Sequence, residues 1–182
     1  LVLTGSEQIS SLAGSSSTGK VTLASHTLTV GDGTDTTFAG VVAGAGGVIK
    51  TGTGTLTLSG TNTYTGATTI SGGELALTGS SASASVAINS NGTLKTDGAL
   101  ANAATVNVTG TGTLALTGAE TIKSLAGSSG TVTLADKILT VAGNGTDTTF
   151  AGVVKGTGGL TKTGDGKLTL SGNNTYTGAT TI

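Results

Sequence analysis

The chain has 182 residues, and Gly (33), Thr (40) and Ser (18) make up half of them against only four aromatics and no Cys, Met or Trp. Charged residues are 9% of the total, Arg is absent and the net charge is −1, which excludes a nucleic-acid binder dependent on a basic face. The 35% hydrophobic fraction separates the chain from disordered Gly/Ser-rich sequences, and without Cys neither a disulfide framework nor a thiolate metal site can form. Thr favours strands while the helix formers Glu, Gln, Arg and Met are scarce, so the composition is all-β.

Taken in chain order, the first residues, Leu1-Val2-Leu3-Thr4, carry no basic segment ahead of an apolar one, so no signal peptide is expected within them. Period-two alternation then recurs in short segments: Val21-Thr22-Leu23, Leu56-Thr57-Leu58, Val106-Asn107-Val108, Val132-Thr133-Leu134 and Leu168-Thr169-Leu170. Each predicts a half-buried strand, and turns containing Gly separate them. The longest apolar run, from Phe38 to Ile49, stops at Lys50 and is too short to span a bilayer.

Self-comparison decides the architecture. Residues 31–70 and 143–182 are identical at 32 of 40 positions, and Leu1 to Gly14 matches Leu114 to Gly127. The large repeats are therefore 1–113 and 114–182, and the chain is expected to be an excerpt of a longer one. Beneath them lies a shorter period. Leu56, Leu75, Leu94 and Leu114 are 19, 19 and 20 residues apart, and Gly60, Gly79, Gly98 and Gly118 keep the same spacing. Strands recurring in one phase predict a single parallel β-helix of about nine coils, with Leu over Leu inside, Thr over Thr outside and Gly over Gly at corners. The large repeat would then be about six coils.

The segment from Gly44 to Leu77 and that from Gly156 to Ile182 share a Gly-rich lead, Lys-Thr-Gly-x-Gly, Leu-x-Leu-Ser-Gly, Asn-Thr-Tyr-Thr-Gly and Thr-Thr-Ile. Asn62, Tyr64, Asn174 and Tyr176 belong to this pattern, which resembles the passenger-associated β-strand repeat of autotransporters. The resemblance implies a right-handed β-helix exported across a Gram-negative outer membrane, displayed at the cell surface, with the repeat serving export and folding of a stalk rather than catalysis. It also implies a signal peptide and a C-terminal β-barrel elsewhere in such proteins.

Other motifs read as structural. Gly14 to Val21 approaches a phosphate-binding loop, but Val21 takes the place of the hydroxyl residue and a strand follows where a helix is required. Gly31-Asp32-Gly33-Thr34-Asp35 and Gly143-Asn144-Gly145-Thr146-Asp147 resemble single Ca²⁺-roll units. They stand 112 residues apart, too isolated to supply six to eight oxygen ligands; a turn closed by the Asp32 side chain is the better account. His26, replaced by Lys137 in the second repeat, is read as an exposed strand residue. Glu7, Glu74, Asp97, Glu120, Asp136 and Asp165 are scattered without the carboxylate pair that glycoside hydrolysis needs. Phe38 and Phe150 are expected to fill the apolar column, and Tyr64 and Tyr176 to cover corners with their hydroxyls in water. Asn62 and Asn174 are expected to stabilise turns. The sequons at Asn91, Asn107, Asn144 and Asn173 signify little, being close to the number that chance supplies. Outward pairs Thr55/Thr57, Glu74/Ala76, Thr93/Lys95 and Thr113/Ala115 break the Thr rank that ice binding demands.

The sequence thus points to a non-enzymatic extracellular stalk or adhesin segment without cofactor or metal, whose alternative is a self-assembling filament stacking end to end. The expected partners are neighbouring coils of a longer chain, end-to-end copies, or host and cell-surface glycans or proteins, with no nucleic acid and no membrane insertion.

Overall fold

The computed structural model describes residues 1–143 and 145–182. Asn144, with its sequon and its place in the second Ca²⁺-like unit, lies outside the described residues.

Short alternating segments with Gly between them bury their apolar side here by winding into coils around a three-sided prism. Face 1 of the first coil is represented by Val2, bridged to Thr22 above it; β1 (Glu7–Ile9) lies on face 2 and Gly14 on face 3. The second coil lays down β2 (Lys20–Ala24), β3 (Leu28–Val30) and β4 (Thr36–Phe38), and the third β5 (Val41–Gly44), β6 (Val48–Lys50) and β7 (Thr55–Leu58). In the next three coils face 1 is held by single bridges through Asn62, Ser81 and Leu100. Their other faces carry β8 (Thr68–Ile70) and β9 (Gly73–Leu77), β10 (Ser85–Ile88) and β11 (Gly92–Thr96), then β12 (Thr105–Val108) and β13 (Thr113–Leu116). Full triplets return with β14 (Glu120–Ile122), β15 (Ser124–Ala126) and β16 (Thr131–Thr133), then β17 (Ile138–Val141), β18 (Thr148–Phe150) and β19 (Val153–Lys155). The chain closes on β20 (Gly159–Lys162), β21 (Leu168–Leu170) and β22 (Thr180–Thr181).

Every strand pairing is parallel. Face 2 stacks β1-β3-β6-β8-β10-β12-β15 and continues into β18-β21 through the Gly127–Phe150 bridge, nine strands deep. Face 3 stacks β4-β7-β9-β11-β13-β16-β19, and face 1 runs from β2-β5 to β14-β17-β20-β22. The fold is thus an all-strand parallel β-solenoid of about nine coils.

The core is a single column. Leu56, Leu75, Leu94 and Leu114 are direct partners in successive coils, each buried to 1% exposure or less. Phe38 and Phe150 lie in the same column, in space that Gly14 and Gly40 leave open around Phe38. At the corner, a Cβ on Gly79 would collide with the carbonyl oxygen of Gly60, and one on Gly60 with that of Gly40. Gly98, one coil on, adopts φ +96°, a left-handed conformation that favours glycine.

The face order gives the expected figure of about six coils per large repeat its exact value. Within each coil the chain visits faces 1, 2 and 3, and passing from β6 to its counterpart β20 takes 17 such faces. The repeat is five and two-thirds coils, because three sides of nearly equal length let the same segment lie on any of them.

Candidate functional site

The side chains that knit coil to coil are polar ones in the repeat motif. Asn62 lies on face 1, where a single bridge replaces a strand and leaves backbone groups to be satisfied. Its side chain is buried, at 2% exposure. Oδ1 accepts the Val42 N–H of the coil below (3.0 Å), and Nδ2 donates to Gly60 O (2.9 Å) and to Ser80 O of the coil above (3.2 Å). One amide side chain therefore spans three coils, with no buried side-chain polar atom left unpaired among the described residues. Asn174 repeats the grip on Val154 N–H (2.9 Å) and Gly172 O (2.9 Å).

Tyr64 corrects the expectation of a hydroxyl in water. It is fully buried, and its hydroxyl shares a hydrogen bond with Thr68 Oγ1 at 2.7 Å. Burial pushes the phenol above its ordinary range. The coil carrying Ser81 and Ser83, both buried, closes over it. Tyr176 keeps the bond to Thr180 (2.7 Å) but is only partly buried.

Lys50 points inward, in register between Val30 and Ile70. It is 2% exposed, and its ammonium donates to Thr51 O and Gly72 O. Desolvation holds its pKa down, against the favourable charges of Asp32 and Asp35. Lys162, its counterpart, donates to Thr163 O (2.6 Å) and Gly164 O (2.8 Å). In the sequence this Lys is marked only by its place in the Lys-Thr-Gly-x-Gly motif.

Glu120, one of the scattered carboxylates of the sequence, is 2% exposed. Oε2 accepts from Thr96 Oγ1 and from Leu100 N–H (3.5 Å), and Oε1 from Thr121 N–H (3.2 Å). Burial pushes its pKa up, the hydrogen bonds from Thr96 and the backbone opposing. A signal for it existed in the sequence. Residues 106–118 repeat residues 48–60 at nine of 13 positions, and that alignment sets Glu120 in the place of Asn62.

The remaining candidates serve the backbone. Asp32 Oδ1 accepts from Thr34 N–H (2.7 Å) and Thr34 Oγ1 (2.6 Å), which closes the turn on itself. Asp35 caps Thr55 N–H of the next coil (2.7 Å), as Asp147 caps Lys167 N–H (2.8 Å). The stretch from Gly14 is a loop that runs into β2, not into a helix. His26 is not an exposed strand residue: it is half-buried in the turn between β2 and β3, its N–H on Leu23 O (2.8 Å), and Lys137 makes the same bond to Leu134. Glu74 pairs with Lys95 across coils at 3.0 Å. Among the described residues no group of three His, Cys, Asp or Glu is placed to hold a metal ion. The outward rank on face 3 reads Thr57, Ala76, Lys95, Ala115. An unbroken one, Thr121, Thr140, Thr161 and Thr181, runs along face 1 instead.

The arrangement defines a parallel β-solenoid whose coils are clamped together by repeat-motif side chains. The chain matches the passenger-associated-transport-repeat family over residues 48–77, 106–124 and 160–182, and it is an autotransporter passenger repeat protein. It is 36% identical over 155 residues to the adhesin BmaC autotransporter of Brucella suis biovar 1, covering 84% of this chain and 4% of that relative. No solved structure matches. The middle match, at 106–124, is one that sequence reading did not name.

Proposed function

We propose that this chain is a non-catalytic spacer of an exported Gram-negative surface adhesin, a stiff rod that holds a binding region away from the cell. The observation that carries the reading is the Asn62 clamp. Its bonds to Val42, Gly60 and Ser80 let each finished coil template the next, as a chain emerging unfolded from a narrow pore requires. Low charge and the absence of disulfides suit the same passage. The contacts of the rod are then the coils before and after it, and recognition of host or cell-surface glycans or proteins belongs to other parts of the protein.

The test inserts one further 112-residue repeat into the exported full-length protein. At ~4.8 Å per coil the rod should lengthen by about 27 Å in electron micrographs, with attachment of the displaying cells retained. Attachment lost on repeat deletion despite normal display would move recognition into the repeats. Fibres formed by the isolated chain, with no rod on cells, would favour end-to-end assembly instead.

A further inference from the structure

The large repeat is not a whole number of coils, and this changes what a partner would meet. In the first copy β6 lies on face 2, β7 on face 3 and β5 on face 1. In the second copy their counterparts β20, β21 and β19 lie on faces 1, 2 and 3 respectively. Every segment has moved by one face in the same sense. The middle family match does not share this turn, since β12 remains on face 2 with β6 and β13 on face 3 with β7. The second large repeat already carries the shift at its start: Val2, β1 and Gly14 lie on faces 1, 2 and 3, and their matches in β13, in β14 and at Gly127 lie on faces 3, 1 and 2.

We infer that successive large repeats are related by a screw operation, about 27 Å along the rod and one-third of a turn around it, so that the surface they share is offered on three sides in turn. Three repeats, about 336 residues, bring it back to the same side after 17 coils. The shared surface includes Thr57 and Ser59 in one copy and Thr169 and Ser171 in the other, within the identical segments 56–60 and 168–172. A compact partner recognising it binds each copy from a separate direction, and neighbouring sites do not crowd one another. A rigid bivalent partner approaching from one side cannot bridge adjacent copies, because avidity requires geometry that permits simultaneous engagement.

An antibody fragment selected against the folded chain for dependence on Thr57 and Thr169 is the probe. Thr57→Lys and Thr169→Lys define the epitope; Lys95 already stands in the outward rank of Thr57. Two fragments per chain are expected by native mass spectrometry, with electron micrographs showing them a third of a turn apart and each substitution removing one. Two fragments on the same side would overturn the inference.

Cysteine pairs give a reading independent of any binder. The Gly127–Phe150 bridge sets Ala126 against Thr149, within the reach of a disulfide, while Thr133 faces Lys155. Ala126→Cys with Thr149→Cys should cross-link, and Thr133→Cys with Thr149→Cys should not. Absence of the first cross-link, or closure of the second, overturns the screw.

Discussion

Glu120 stands where Asn62 stands three coils earlier. Each is buried on face 1, and each takes the N–H of the residue twenty positions before it, Leu100 for Glu120 and Val42 for Asn62. The amide both accepts and donates, and so it grips the coils on either side. An ionised carboxylate only accepts, whereas a protonated one recovers a donor. The middle repeat thus carries a titratable version of a clamp that is neutral elsewhere.

Stability should therefore respond to pH through Glu120. Burial raises its pKa in the native rod above the usual value of 4.5, so the native state holds its proton more tightly than the unfolded chain. The contribution is complete below the unfolded value and is lost as pH rises through the raised one. Glu120→Gln should flatten that decline and raise the urea midpoint near neutrality by the equivalent of about 1 kcal/mol. A pH-independent difference between the two proteins from pH 4 to 8 would contradict this.

Removing the neutral clamp should cost more. Asn62→Ala leaves Val42 N–H, Gly60 O and Ser80 O without their side-chain partner, a loss of about 2–3 kcal/mol for buried groups of this kind. Asn174→Ala, with two such bonds in place of three, should lose less. Equilibrium denaturation of both variants would show the order, and equal losses would mean that the grip on Ser80 contributes nothing.

Tyr64 and Tyr176 make the same bond to a Thr four residues on, but only Tyr64 is fully buried. Tyr64→Phe should lower stability by about 1 kcal/mol, by leaving the Thr68 hydroxyl unpaired. Tyr64→Ala should cost about 3–5 kcal/mol through the cavity. Tyr176→Phe should change little, since water can replace the lost partner. Thermal melts of the three variants check the ranking.

Amine labelling should distinguish Lys50 from every exposed Lys. At 2% exposure, with its ammonium on two carbonyl oxygens, it should escape an N-hydroxysuccinimide ester in the native state and react after unfolding. Lys95, exposed on face 3 and paired only with Glu74, should label readily in both. Peptide mapping by mass spectrometry reads the ratio, and native labelling of Lys50 at the rate of Lys95 would show the corner to be open.

The sequence by itself determined the coil. Leu56, Leu75, Leu94 and Leu114 meet because a closed coil of 19 or 20 residues brings each over the last. Asp32 closes its own turn because an Asp side chain reaches a backbone N–H two residues on. Such features are local or strictly periodic, so spacing and residue type express them. What only the tertiary structure decided depends on a neighbour some twenty residues away. Tyr64 is dry because the Ser81 coil covers it, and Lys50 and Glu120 turn inward because backbone groups of their own and adjoining coils receive them. The shift of the second repeat by one face was equally hidden. Alternation of period two separates inside from outside, but a prism with three nearly equal sides gives the alternating chain no mark of which side it lies on.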